Sequence, residues 1–141
     1  NTNDSNRWSI QINESDQKMF CRMRVGGSNV AQRTYDTALS AATWYFVSMT
    51  WNNTGSLLRL RVNDNADIDG APSSNLTSTS DNLFFGSYAG ASNLKDFHGY
   101  ITGITYYDNT VLTTTEQTRL YNFNTISDTT KPLTWGIGKY G

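Results

Sequence analysis

Five consecutive residues, Leu58-Arg59-Leu60-Arg61-Val62, alternate apolar and cationic side chains without a slip. Side chains of a β-strand project to opposite faces with a period of two, so this stretch builds a strand with one apolar and one polar face. The same period recurs at Trp8, Ile10 and Ile12, separated by Ser9 and Gln11, and at Met19, Cys21, Met23 and Val25, separated by Phe20, Arg22 and Arg24. The polar turn "NESDQ" joins the latter two runs into a hairpin, and "NNTG" joins Trp44–Trp51 to Leu58–Val62 in a second one. On this parity Arg22 and Arg24 face water. Cys21 points inward and packs as a small hydrophobe, with no chemistry assigned to it.

The remaining stretches extend the pattern. "GGSN" turns the chain into a short strand at Val30–Tyr35, and Trp44–Trp51 is apolar on both faces, as a central strand covered from two sides would be. A short strand at Ala66–Asp69 continues the meander before a polar crossing loop reaches Leu83. Phe97–Tyr107, rich in aromatic and β-branched residues, is the longest strand candidate. Ile101 and Ile104 lie three apart, which a β-bulge at Thr102 and Gly103 would accommodate. Thr113 with Glu116 has the spacing of a capping box that opens a short helix through about Phe123. Beyond it, "PLTWGIG" returns as a closing strand or leaves as a linker. Residues 1–124 are therefore read as one β-sandwich and 125–141 as a C-terminal extension or closing strand.

A chain of 141 residues is one ordinary domain that buries roughly two thirds of its unfolded surface. Asn, Ser, Thr and Gly are abundant, while Glu occurs only at Glu14 and Glu116. That composition suits an all-β protein with polar loops and is common on the exteriors of cells and virions. The single cysteine excludes an internal disulfide and a cysteine-based zinc site. A net charge of −1 gives no long-range attraction for phosphate backbones, so nucleic acid is not an expected partner. No run approaches the ~18 apolar residues of a spanning helix, and membrane insertion is not expected. The first residue is Asn rather than Met, as in a mature or excised piece of a longer protein. N-glycosylation sequons start at Asn3, Asn13, Asn52 and Asn75, a number that such a composition produces by chance.

Two blocks of the sequence resemble the laminin G-like family. "WYFVSMTWNNTGSLLRLRVND" has a Trp opening one strand, a Thr-Trp pair closing it, and a following strand that ends in Val-Asn before a tight turn. "LFFGSYAGASNLKDFHGYITGITYYDNTVLTTTEQTRLYN" is similar to the family's C-terminal signature: a strand ending in Gly, then Phe-x-Gly-x-Ile, a tyrosine-bearing strand, a capped helix and Leu-Tyr. The resemblance covers roughly Trp8 to Phe123. It implies an all-β, two-sheet antiparallel jelly-roll sandwich of the concanavalin A-like lectin and glucanase type, with one short peripheral helix near 113–123. Ile101, Thr102 and Gly103 stand where many relatives carry Ile-Asp-Glu or Ile-Asp-Asp, so an acidic role is absent there. Relatives also carry further strands before the position of Trp8. The resemblance thus implies that a preceding segment or a neighbouring protein chain covers the open sheet edge.

Candidate chemistry gathers in few places. Asn65, Asp67 and Asp69 in "NADIDG" match the first half of a calcium loop, with oxygen ligands at alternate positions and Gly70 at the bend. The twelfth position is Leu76 instead of a bidentate Glu, and a solvated turn is the alternative reading. Glycoside hydrolysis needs two carboxylates roughly 5–10 Å apart, and only Asp67 and Asp69 share a strand face. Glu14 falls in a turn and Glu116 in the capping box, so the chain is expected not to be an enzyme. His98, the only histidine, has no nucleophile motif around it. Six Phe, eight Tyr and four Trp supply stacking surfaces, and the candidate ligand-binding rim is Tyr88, Asn93 and Asp96 together with Asp64. The expected function is non-catalytic recognition of a glycan or another surface, on an extracellular or virion-associated protein. The alternative is a structural domain docked onto neighbouring chains of an assembly, without a small ligand.

Overall fold

The alternating runs become two antiparallel sheets. The computed structural model describes residues 6–52, 57–73, 97–107 and 110–125. In chain order the elements are β1 (Arg7–Ile12), β2 (Lys18–Val25), β3 (Ser28–Ala38), β4 (Val47–Trp51), β5 (Leu58–Val62), β6 (Ile68–Gly70) and α1 (Thr114–Thr125). One sheet has the order β1-β2-β3 and the other β4-β5-β6.

Hairpin chemistry sets the register of the first sheet. Between β2 and β3 only Gly26 and Gly27 intervene, with φ of 56° and 83°, and Val25 pairs with Ser28. A two-residue hairpin loop with both central residues at positive φ matches the right-handed twist of its strands, and glycine adopts it without a Cβ clash. Across β1 and β2, Trp8 pairs with Met23, Ile10 with Cys21 and Ile12 with Met19, so the apolar set of each strand lies on one face. In the second sheet Val47 pairs with Val62, Met49 with Leu60 and Trp51 with Leu58.

The two apolar faces meet. Met19, Cys21, Met23 and Ala31 from one sheet and Leu58, Leu60 and Val62 from the other form the buried core. Cys21 is fully buried, and burial pushes its thiol up to about 12, which leaves it inert as the alternation implies. At one end of the sandwich Trp8 and Trp51 bridge the sheets with ring centroids 4.9 Å apart. Tyr106 stacks on Trp8 at 6.3 Å. Arg33 pairs with Cys21 across the ladder and lies at the margin of this interior, its guanidinium packed over Gly70, where no side chain intervenes.

Three expectations are corrected. Val47–Trp51 is an outer strand among the described residues, and the central strand is β5. Trp44 precedes β4 and is 65% exposed, so apolar character on both faces reflected aromatics outside the strand. Phe97–Tyr107 has no ladder among the described residues, so Gly103, at φ 63°, turns the chain without the paired strand that a bulge would interrupt. High β-propensity describes fit to a pleated surface and does not supply a partner edge. Finally, Arg22 and Arg24 are only half-exposed. Arg22 donates to Gln11 Oε1 at 2.8 Å and lies 5.2 Å from the Phe20 ring centroid, and Arg24 donates to the Gly27 carbonyl. Desolvation, with Arg24 and Arg22 nearby, pushes Arg7 on the same face down to about 10.

The helix start forms as its sequence dictates. Thr113 N–H donates to Glu116 Oε2 at 2.8 Å and Glu116 N–H donates to Thr113 Oγ1 at 3.3 Å, the reciprocal pair of a capping box. Those bonds hold the Glu116 carboxyl below its ordinary 4.5. A lowered folded-state value means that Glu116 supports the helix above the ordinary glutamate range. Its support is lost as pH falls through the folded value. Thr113→Ala is expected to cost about 1 kcal/mol, measured by urea denaturation at neutral pH, with a smaller difference from the parent at pH 3.

Candidate functional site

The polar face of β5 carries the densest set of charges in the described structure. Because Arg59 pairs with Asp69 and Leu60 with Ile68 across the ladder, the next step of the hairpin sets Arg61 opposite Asp67. Arg59 grips Asp69 with two bonds, Nε to Oδ1 at 2.7 Å and Nη2 to Oδ2 at 2.8 Å. It also lies 3.2 Å from Asp67 Oδ2. Arg61 donates to Asp67 Oδ1 at 3.2 Å, to Asp64 Oδ1 at 2.9 Å and to the Asn63 carbonyl at 3.2 Å. Asp67 thus bridges the two arginines.

Helix α1 covers this face. Thr114 Oγ1 donates to Asp67 Oδ2 at 2.5 Å. Gln117, fully buried, donates from Nε2 to Thr50 Oγ1 at 2.6 Å. Tyr121 meets Phe46 edge-on at 5.8 Å. As a result Arg61 is only 4% exposed and the Asp67 side chain 10%. The layer between helix and sheet is polar and ion-paired, where an apolar interface is usual. The two-residue alternation identified Arg59 and Arg61 as a polar face and left its cover unseen.

Asp67 and Asp69, the candidate carboxylates for catalysis or metal binding, are therefore already engaged. The bidentate Arg59 bond holds the Asp69 carboxyl below its ordinary value, the opposite direction from a general acid, which must stay protonated near neutral pH. The reciprocal bond to Asp69 raises Arg59. Asn65 donates its amide to the Val62 carbonyl at 2.8 Å and to the Tyr35 hydroxyl at 3.1 Å, so it pins the turn. Among the described residues no cluster of three or more His, Cys, Asp or Glu side chains is disposed to hold a metal ion. A cation at Asn65, Asp67 and Asp69 would have to displace both arginines.

Of the expected ligand rim, Asp64 is at the surface, its side chain 66% exposed, while Tyr88, Asn93 and Asp96 lie outside the described residues. The turn that carries Asp64 is tied to the start of β4. Asn63 N–H donates to the Phe46 carbonyl at 2.8 Å, and Phe46 N–H donates to Asn63 Oδ1 at 2.8 Å. Two residues earlier, the exposed Trp44 meets Tyr100, itself 86% exposed. Their ring centroids are 6.5 Å apart, tilted by 38°. Tyr100 was read as part of a strand, and its exposure became visible only with the fold.

The sheet topology and the two sequence blocks agree with one family. Residues 1–109 match the family model of the laminin G domain. The chain belongs to the laminin G domain family. No curated protein and no solved structure matches it. Laminin G domains are jelly-roll sandwiches that typically act as non-catalytic binding modules of extracellular proteins, engaging other surface molecules. Within this laminin G domain no helix among the described residues is long and apolar enough to cross a membrane.

Proposed function

We propose that this laminin G domain is a non-catalytic glycan-recognition module of an extracellular or virion surface, and that Trp44 and Tyr100 form its stacking platform. The observation that carries this reading is the tilted pair of rings, 65% and 86% exposed. Large aromatic faces left in water lose favourable burial, and the C–H face of a pyranose covers such a ring while its hydroxyls stay hydrated. The Asp64 turn, fastened beside the same strand start, adds an exposed acceptor for sugar hydroxyls. A shallow platform of this kind binds weakly, and repeated presentation on a surface multiplies its effect. The engagement of Asp67 and Asp69 by arginine supports the absence of catalysis.

The test is a glycan array probed with the multivalently displayed domain, with calcium and with chelator. Binding is expected for the parent chain and is lost in Trp44→Ala and Tyr100→Ala, which leave the core untouched. Loss of binding on chelation would make a cation part of recognition, at oxygen ligands other than the arginine-paired Asp67 and Asp69. An array silent in every arm overturns glycan recognition. It would leave docking onto neighbouring chains as the reading, which Ile10 and Ile12 favour: both lie on β1, outermost among the described strands of its sheet, on its core side, yet are 40% and 37% exposed.

A further inference from the structure

The four sequons differ in what the fold does with them. Asn52, at the end of β4, has its backbone N–H bonded to the Leu57 carbonyl at 3.2 Å, and its Oδ1 accepts from Leu57 N–H at 3.2 Å. It is half-buried, and its side chain closes the β4–β5 hairpin. Asn3 and Asn75 lie outside the described residues.

Asn13 is different. It sits at the tip of the β1–β2 hairpin, exposed together with Glu14, Ser15, Asp16 and Gln17. Its backbone is anchored on both sides, N–H to the Lys18 carbonyl at 2.8 Å and carbonyl to Gln17 N–H at 2.9 Å. The side chain turns back on its own sequon: Asn13 Oδ1 accepts from Ser15 N–H at 3.3 Å and from Ser15 Oγ at 3.2 Å. Both bonds use Oδ1, so Nδ2 is presented to water with no partner among the described residues.

We propose that Asn13 is an N-linked glycosylation site in a secretory pathway, and that Asn52 is not. The reaction needs a lipid-pyrophosphate-linked oligosaccharide as donor and a membrane oligosaccharyltransferase. Asn13 Nδ2 attacks the anomeric carbon, a C–N bond forms, and the C–O bond to pyrophosphate breaks. The lipid pyrophosphate leaves with the bonding electrons, and one amide proton passes to a base of the transferase. Two hydrogen bonds to Oδ1 draw density onto that oxygen and make the Nδ2 proton easier to lose. A glycan there extends from the exposed hairpin tip into solvent and leaves the core packing intact. Asn52 is half-buried against the hairpin that it closes, so a glycan on it would crowd the β4–β5 turn, whereas Asn13 is exposed.

The inference takes its setting from the extracellular reading above, and its test is independent of glycan recognition. The full chain is expressed behind a secretion leader in a eukaryotic host, with a tag bearing an accepted sequon that reports exposure to the transferase. Peptide-N-glycosidase treatment in ¹⁸O-water then marks each occupied asparagine as labelled aspartate. With the tag occupied, the Asn13 peptide is expected to carry the label and the Asn52 peptide none. Asn13→Gln and Ser15→Ala lose that step, and Ser15→Thr keeps it. An unlabelled Asn13 beside an occupied tag overturns the proposal, as does equal labelling of Asn52 in folded, secreted protein.

Discussion

Truncating Leu60 to alanine is expected to lower the unfolding free energy by about 2–5 kcal/mol. Leu60 is fully buried at the middle of β5, the only strand of its sheet with a described neighbour on each side. It stands between Met49 on β4 and Ile68 on β6 and faces the Met, Cys and Ala side chains of β2 and β3. The change removes buried methyl groups and leaves a cavity that neighbours on rigid ladders fill poorly, so the cavity adds to the transfer cost. Against a total stability of about 5–15 kcal/mol, that loss is large. It is measured as a fall in the urea midpoint at unchanged slope. Ile12→Ala, on the same interior but 37% exposed, should cost clearly less. Equal effects at Leu60 and Ile12 would mean that the two sheets do not close on each other at β5.

Much of this architecture was legible because it rests on local rules. The period-two runs placed Met19, Cys21, Met23, Leu58, Leu60 and Val62 on core faces, where all six are buried. Gly26-Gly27 announced a turn and Thr113 with Glu116 a capped helix through backbone chemistry that needs no tertiary partner, although the strand after the turn, read as Val30–Tyr35, runs from Ser28 to Ala38. Phe97–Tyr107 went astray because strand formation depends on an edge supplied from elsewhere in the chain. The polar layer was missed for a related reason. Asp67 and Asp69 were weighed as a carboxylate pair within one strand, whereas their partners lie across the hairpin at Arg59 and Arg61. The signal was present as Arg-x-Arg followed by Asp-x-Asp about one hairpin away, since antiparallel pairing brings such residues face to face on one side of a sheet. Nothing local indicates that α1 lies over them, because Gln117 and Arg61 are polar and their burial is a tertiary fact.

That burial sets the second large effect. Asp67→Asn is expected to destabilise the domain by about 3–5 kcal/mol, although side-chain volume hardly changes. Asp67 is the one carboxylate that touches both arginines and the helix, through Thr114. Removing its charge leaves Arg61, 4% exposed, with only the outlying Asp64 as a counter-ion, and an under-compensated buried charge is costly. Asp64→Asn should cost less than about 1 kcal/mol, because that side chain is 66% exposed and water screens it. Replacing the pair together, Arg61→Met with Asp67→Leu, should recover much of the single-variant loss, since desolvation of both charges is then avoided. Urea denaturation of the three variants reads these differences, and helical circular dichroism reports whether α1 detaches first. Comparable losses for Asp64→Asn and Asp67→Asn would show that water reaches Arg61 and that the helix does not seal the layer. The expected inequality instead makes these acids the fastening of helix to sheet, which explains why a domain rich in oxygen ligands at this turn needs them for its fold before any ligand arrives.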